Sequence, residues 1–266
     1  MRTIILLSLL TALVTGCAGG GASTVTPPSN NPHTYTVTDI GAQAFPAALN
    51  DSGVVVGQMN GQAFAYSGGA VHMLGMLPGG ATSAAAAIND AGTIVGTTYF
   101  AGSSRFEATL FSLTGPPQPL GTGDGSDSTA VGVNAAGEIV GTVLSAPGCL
   151  GRVAIFDGHG NATEFADNAL AIAVNNSGTI LYETATPSAV VSCGTSPAAY
   201  LYPANTAVPY PANIDTGNGI PNVAALDNLG DVAGNYNDTS GNGALFLYHN
   251  GSSNELSMPG FANLSA

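Results

Sequence analysis

One aromatic residue recurs along this chain at nearly constant intervals and marks a repeated unit. The five copies are separated by 45, 45, 46 and 46 residues; they are Tyr66, Phe111, Phe156, Tyr202 and Tyr248. The residues around each copy have the pattern of strands rather than helices. A strand-rich repeat of this length predicts an array of similar units. Because a residue present in every copy is most simply structural, we expect any chemistry to lie where the copies differ.

Each unit opens with a hydrophobic hairpin whose turn begins with Asn or Asp and carries Gly three residues later. This pattern fits a type I turn followed by a left-handed glycine, in which the Asn side chain binds its own turn backbone. The five pairs are Asn50 and Gly53, Asn89 and Gly92, Asn134 and Gly137, Asn175 and Gly178, and Asp227 and Gly230. These residues could form a polar ring, but turn formation accounts for them, so we assign them a structural role.

The strand before each turn separates tiny from bulky side chains. Ala or Gly stands two residues before the Asn or Asp, and Leu, Ile or Val stands one residue before it. The innermost strand of a propeller blade needs one such crowded face, because the blades converge there. We therefore predict an all-β fold, a β-propeller of five four-stranded blades, with a β-solenoid of stacked hairpins as the alternative. Either Tyr35–Gly41 or Asn254–Met258 could supply a fourth strand to the last blade.

The repeat is similar to the HAF repeat of bacterial extracellular proteins. The resemblance rests on Ala85–Gly96 and on Ala63–Phe64 followed by Leu74–Gly75 and Leu77–Gly80. Units three to five depart from the pattern, and Tyr182 replaces the glycine of the Ile-Val-Gly segment. The resemblance implies a secreted or surface array that resembles a propeller. It implies no activity, because the family is defined by its repeat and not by a catalytic motif.

The N-terminus combines an export signal with a site for lipid attachment. Residues 1–16 carry a short apolar run, and Val14–Cys17 resembles a bacterial lipobox. The resemblance implies cleavage before Cys17, lipid on that cysteine and, because Ala18 follows, sorting to the outer membrane. An ordinary secretory signal with a chance cysteine is the alternative.

The remaining chain divides into a tether and one domain. Residues 17–32 contain almost nothing to bury, which predicts a flexible tether. Residues 33–266 form the repeat domain, which we expect to be a monomer facing the periplasm or the cell exterior. The formal net charge is −13, there is no lysine, and only Arg105 and Arg152 remain once the signal is removed. Such a surface repels phosphate backbones, so we exclude nucleic acid as a partner.

The connections that differ between units are expected on one face. Loops between the second and third strands vary from 5 to 16 residues, and a four-stranded blade places them all on the same rim. The candidate ligand-binding residues there are Tyr99, Phe100, Arg105, Glu107, Arg152 and Tyr236. Aromatic rings beside arginines could bind sugars by stacking or anchor a partner protein. Alternatively, they simply cover the ends of the blades.

Two cysteines occur in these loops, in adjacent units. Cys149 and Cys193 are the only cysteines left if Cys17 carries lipid, and in an oxidising compartment they predict a disulfide between blades three and four. Two free thiols are the alternative, because loop positions do not guarantee a bridging distance. A metal site made by these cysteines is disfavoured, since no histidine is close in sequence.

No catalytic arrangement stands out. The histidines do not occupy equivalent places in the units, and paired cysteines would leave no nucleophile. Residues 124–128 and 235–242 are rich in oxygen ligands but lack the spacing of an EF-hand, so turn chemistry explains them better than Ca²⁺. We expect no cofactor and no resident metal ion. The expected function is a non-enzymatic binding module for a glycan or a protein partner. The alternatives are an envelope scaffold and, less favoured, a polysaccharide hydrolase.

Overall fold

The computed structural model describes residues 37–102, 105–122, 126–144, 151–184, 198–211, 222–240 and 243–256. These residues contain strands and no helix, so the predicted all-β class is confirmed. The strands form four antiparallel sheets, and within the described ranges none of the sheets closes on itself. Across the same ranges, no helix has the length and apolar character to cross a membrane.

Three of the sheets have four strands each, paired in chain order. Unit one consists of β1 (Ala44–Leu49), β2 (Val55–Met59), β3 (Gln62–Ser67) and β4 (Ala70–Gly75). Unit two consists of β5 (Gly80–Ile88), β6 (Ile94–Phe100), β7 (Phe106–Phe111) and β8 (Gln118–Pro119). Unit five consists of β16 (Asn222–Leu226), β17 (Val232–Asn237), β18 (Gly243–His249) and β19 (Ser252–Leu256).

Units three and four share one sheet of seven strands. Its strands are β9 (Asp127–Val133), β10 (Ile139–Leu144), β11 (Gly151–Phe156), β12 (Ala162–Val174), β13 (Ile180–Thr184), β14 (Ala198–Tyr202) and β15 (Thr206–Val208). The 13-residue strand β12 pairs with β11 up to Ala169 and with β13 from Ala169 onward. It is therefore the fourth strand of unit three and the first strand of unit four.

A buried serine lies between neighbouring sheets at the first two junctions between units and binds the backbone of the preceding unit. The Ser83 hydroxyl accepts a hydrogen bond from the Ala63 N–H at 2.9 Å and donates to the Gly75 carbonyl at 2.6 Å. Ser128 occupies the equivalent register at the next junction and accepts from the backbone of β7. At the third junction the register position is Ala169, and Gly151 pairs with it directly. The connection is also shorter here, because Ala166 lies 9 residues before Asn175 whereas Gly75 lies 14 before Asn89, so β12 continues from one unit into the next without a break.

The five Asn/Asp-x-x-Gly segments form the tight turns of the first hairpins. In each, the glycine N–H donates to the carbonyl of the Asn or Asp, and each glycine has a φ between 77° and 88°. A Cβ would be strained in that conformation, which explains the glycine at this position. The Asn50 side chain also accepts a hydrogen bond from the Val54 N–H at 3.0 Å.

The hydrophobic core consists of a series of clusters between neighbouring units. At the first of these, Val56 and Leu74 of unit one pack with Ile88 and Ile94 of unit two. Similar clusters join units two and three, three and four, and four and five. Burying a side chain such as Ile94 contributes about 1.5–3 kcal/mol. Each unit therefore depends on its neighbours for burial, as in other repeat proteins.

The two ends of the array lack such cover. In unit one, 66% of Phe45 and 41% of Leu49 are exposed, and in unit five Leu256 is 42% exposed. The fourth strand of unit five is β19, on the C-terminal side, whereas Val37–Ile40 belong to no strand. The last unit is thus completed by its own residues in the part of the chain that the structure describes.

Candidate functional site

A groove beside unit two brings together three of the predicted ligand-binding residues. It has a volume of about 560 Å³ and is lined by Phe100, Arg105 and Glu107 of the β6–β7 hairpin. The connection from β4 to β5 contributes Met76–Pro78, and the segment around β8 contributes Pro116–Pro119. We call this feature the Phe100 groove. It is built from three separate segments, so no single motif reveals it.

The β6–β7 hairpin holds the aromatic ring and the guanidinium group side by side. The Phe100 N–H donates to the Arg105 carbonyl at 3.0 Å, which joins the two ends of the connection. The guanidinium carbon of Arg105 then lies 4.8 Å from the centroid of the Phe100 ring. This is a cation–π contact, which at an exposed site stabilises by about 0.5–1 kcal/mol.

Arg105 and Glu107 form an ion pair at the wall of the groove. The Arg105 Nη2 atom lies 3.0 Å from Glu107 Oε2, with the arginine side chain half exposed and the glutamate mostly covered. An exposed pair of this kind stabilises the fold by at most about 1 kcal/mol. Its importance is chemical, because it places hydrogen-bond donors and acceptors beside an aromatic ring without leaving a net charge.

The opposite wall is a proline-rich edge. Strand β8 has only two residues, and Pro116, Pro117 and Pro119 surround Gln118. Proline has no N–H, so this edge cannot pair with an added strand. The edge is nevertheless held in place, because the Leu120 N–H donates to the Ala108 carbonyl at 2.9 Å.

Tyr99 and Arg152 lie outside the Phe100 groove. Tyr99 precedes Phe100 on β6 and faces the other side of the sheet, where its ring is 6.0 Å from that of Phe106 and 43% of the residue is exposed. Arg152 of β11 binds two carboxylates of β12: its Nε atom lies 2.8 Å from Asp167 and its Nη1 atom 3.0 Å from Glu164. The hydrogen bond to Glu164, followed by that to Asp167, raises the pKa of Arg152 above its ordinary value.

Tyr236 is a core residue and does not face a ligand site. Only 3% of it is exposed, and it belongs to the cluster between units four and five. Its hydroxyl donates to Glu255 Oε2 at 3.1 Å. The ring is therefore not available to a ligand. The sequence carried a signal for this, because Tyr236 alternates with Gly234 and Val232 on the buried face of β17.

Glu183 is a half-buried carboxylate that the sequence analysis missed. It lies where units four and five meet, and its Oε1 atom accepts from the Val223 N–H at 3.1 Å and from the Tyr210 hydroxyl at 3.4 Å. Burial raises the pKa of Glu183, and burial next to this carboxylate also raises the pKa of Tyr210. Glu183 is the only acid at its position in the repeat, where the other units have Gln58, Thr97, Thr142 and Asn235. That comparison could have identified it.

The turn asparagines also link the units to one another. Each side-chain Nδ2 donates to the carbonyl of the equivalent residue in the next unit, which we call the amide ladder. Its rungs are Asn50 to Asn89 at 3.2 Å, Asn89 to Asn134 at 2.9 Å, Asn134 to Asn175 at 3.2 Å, and Asn175 to Asp227 at 2.9 Å. The four asparagines are buried. Turn formation alone therefore does not describe their role.

The residue after three of the four turn asparagines makes a second contact between units. The Asp51 N–H donates to Asp90 Oδ1 at 2.8 Å, and Ala135 and Asn176 donate in the same way to the following unit. Turns of units one to four border a common cavity of about 210 Å³. Across the described ranges, this cavity included, no group of three or more His, Cys, Asp or Glu side chains could hold a metal ion.

Comparisons of this chain with known protein families, with curated proteins and with solved structures found no match. The three cysteines, Cys17, Cys149 and Cys193, lie outside the described residues. Lipid attachment and the disulfide therefore stay predictions from the sequence.

Proposed function

We propose that this chain is an envelope-anchored, non-enzymatic binding module for a glycan or a protein partner, with the Phe100 groove as its ligand site. The groove carries this proposal, because it combines an aromatic ring, a balanced ion pair and apolar walls in a volume of about 560 Å³. Ligand pockets commonly measure about 300–1,000 Å³ and combine apolar walls with a few polar groups.

The architecture we propose is a propeller-like array in which the five four-stranded units act as blades. The cavity bordered by turns of units one to four supports a radial arrangement, because a straight stack would keep the first turn far from the fourth. The amide ladder between successive turns agrees with this convergence. In such an array the sheets are a rigid scaffold, and the loops that connect their strands can hold a binding site in a fixed position.

The anchor we propose is lipid on Cys17, and the resemblance to the HAF repeat supports an extracellular or periplasmic domain. Substitution of Cys17 by Ser should move the protein from the membrane fraction to the soluble fraction of the cells that produce it. Retention in the membrane fraction would contradict the lipid anchor without affecting the groove.

Binding is tested by thermal unfolding of the purified protein, in detergent, against a panel of neutral glycans, acidic glycans and proline-rich peptides. A ligand present at about 100 times its dissociation constant adds about 2.7 kcal/mol to the free energy of unfolding. Phe100→Ala should remove the shift, whereas Tyr99→Ala, which deletes a neighbouring exposed ring outside the groove, should keep it. A panel without any shift that depends on Phe100 would overturn the proposal.

A second candidate function is an envelope scaffold. The amide ladder and the seven-stranded sheet favour it, because both tie units together over long distances. Co-purification of a stoichiometric protein that is insensitive to Phe100→Ala would support this function instead. A hydrolase is less favoured, because glycosidases use two carboxylates, and Glu107 is the one carboxylate among the described lining residues.

A further inference from the structure

We infer that the Phe100 groove takes an uncharged oligosaccharide. This inference rests on the proposed binding role of the groove and adds the class of its ligand. It follows from four features of the walls: the ring, the ion pair beside it, the charge of the surroundings and the proline-rich edge.

The ring supplies a stacking surface. Arg105 covers one face of the Phe100 ring at 4.8 Å from its centroid, and the ring also lines the groove, so a sugar would stack on the part of the ring that Arg105 leaves uncovered. The faces of an aromatic ring carry negative partial charge and attract positively polarised C–H groups. A pyranose presents several such C–H groups on one face. The side chains of Met76 and Pro78 extend this apolar surface along the groove.

The ion pair supplies matched hydrogen-bonding groups. The guanidinium of Arg105 offers N–H donors and the carboxylate of Glu107 offers acceptors, and the two meet at 3.0 Å. A hydroxyl both donates and accepts, so neighbouring hydroxyls of a sugar can bind to both partners at once. Because Glu107 is mostly covered, it also fixes the position of Arg105 before a ligand arrives.

Charge disfavours an acidic ligand. The formal net charge of the chain is −13, and both arginines of the repeat domain are already paired with carboxylates. A uronate or phosphate would therefore enter a negative field without an unbalanced cation to receive it. The net charge would attract a cationic ligand, but the one carboxylate among the described lining residues, Glu107, is already paired with Arg105. A neutral molecule needs no unpaired charge in the groove.

The proline-rich edge disfavours an extended peptide. Peptides that add a strand to a sheet need N–H and C=O groups on an open edge. Pro116, Pro117 and Pro119 remove the N–H donors from the edge at β8. Grooves that bind proline-rich peptides are lined by several aromatic rings, whereas Phe100 is the one aromatic ring among the described lining residues.

The test compares a neutral hexasaccharide, cellohexaose, with an acidic one, hexagalacturonate. A screen on an array of neutral and acidic glycans first selects further neutral probes. Each probe is then titrated into the purified protein and its binding is measured by calorimetry. We expect a neutral glycan to bind at least tenfold more tightly than its acidic counterpart. Phe100→Ala should weaken that binding at least tenfold and Phe100→Tyr should preserve it, whereas Tyr99→Ala should leave it unchanged. Melting temperatures of all variants show whether they fold.

The outcomes separate this inference from the function on which it rests. Binding that depends on Phe100 but selects acidic glycans or peptides would overturn the inference and leave the binding role intact. Glycan binding that survives both Phe100→Ala and Arg105→Ala would overturn the assignment to this groove. If no probe on the array or in the peptide panel binds in a manner that depends on Phe100, both the inference and the proposed function fail.

Discussion

Ala135 shows how a single side chain interrupts a repeated contact. At three junctions the backbone N–H after the turn asparagine donates to an Oδ1 atom of the next unit. At the junction between units two and three, the position that would supply this oxygen is Ala135, which has none. The other four units have Asp51, Asp90, Asn176 and Asn228 there.

Replacing Ala135 by Asn should stabilise the protein. The new Oδ1 atom can accept from the Asp90 N–H as its equivalents do, and a hydrogen bond contributes about 0.5–1.5 kcal/mol net. Denaturant unfolding of the purified protein measures the change. Ala136→Asn, one residue further along the same exposed turn, is the matched control and should stay within about 0.5 kcal/mol of the parent. Equal effects of the two substitutions would contradict the proposed hydrogen bond from the Asp90 N–H.

Glu183 should make stability depend on pH. Burial raises its folded pKa above the ordinary 4.5, so the contribution of this group is fully present below pH 4.5 and is lost as the pH rises through the folded pKa. Glu183→Gln keeps an oxygen to accept from Val223 and Tyr210 but removes the charge. The stability of the variant relative to the parent should therefore increase from pH 4 to pH 7. A relative stability that is the same at both pH values would contradict this account.

At the scale of the element, separate sheets and a shared sheet differ in the length of the connection between units and in the side chain at the junction: Ala166 lies 9 residues before Asn175, whereas Gly75 lies 14 before Asn89. Ser83 and Ser128 bind the backbone of the preceding unit, whereas Ala169 leaves β11 and β12 paired. The side chain thus takes the place of a backbone partner at two junctions. This role depends on burial, because water would otherwise compete for the same groups.

Ser83→Ala should destabilise the junction between units one and two. The substitution leaves the Ala63 N–H and the Gly75 carbonyl without their buried partner, and an unsatisfied buried group costs about 1–3 kcal/mol. Thermal unfolding measures the loss. Ser52→Ala, in an exposed turn, is the control and should have little effect. If the two alanine variants unfold alike, the hydroxyl does not have the role described.

Some of these features can be predicted from the sequence and others cannot, depending on whether they rest on neighbouring or on distant residues. Turns such as Asn50–Gly53 and the strand character of each unit depend on neighbouring residues, so they can be derived from a local pattern. The shared sheet at Ala169 depends on a short connection between units three and four, and the paired strands are needed to show which residues that connection joins. The Phe100 groove combines three segments that are distant in sequence. The prediction that Tyr236 faces a ligand is wrong, because the residue continues the buried alternation of Val232 and Gly234 on β17 instead of belonging to a loop.

At the scale of the whole molecule, the amide ladder gives the array a direction. Every rung runs from the amide of one unit to the carbonyl of the next, and the series ends at Asp227, which has no amide to donate. No rung from unit five to unit one exists among the described residues. The ends of the array, with Phe45 and Leu256 exposed, agree with an open arrangement.

Two opposite substitutions test whether the ladder ends there. Asn89→Asp removes a buried donor and places a carboxylate against the Asn134 carbonyl, which should cost about 1–3 kcal/mol or more. Asp227→Asn adds an amide where the described residues offer no carbonyl of a further unit, and it should change the free energy of unfolding by less than about 0.5 kcal/mol. Denaturant unfolding compares the two. A clear stabilisation by Asp227→Asn would show that the added amide finds an acceptor, as a closed ring would provide.

The shared strand β12 limits how this protein can change its number of repeats. Arrays of repeats usually gain or lose copies by recombination at the boundary between one copy and the next. Between units three and four no such boundary exists, because residues on either side of Ala169 belong to one continuous strand. A deletion of unit three would leave unit four with Ala169–Val174 paired to β13 but without the strand pairing that joins it to β11. Units one, two and five form sheets of their own, so removing one of them would break no strand pairing of a neighbouring unit.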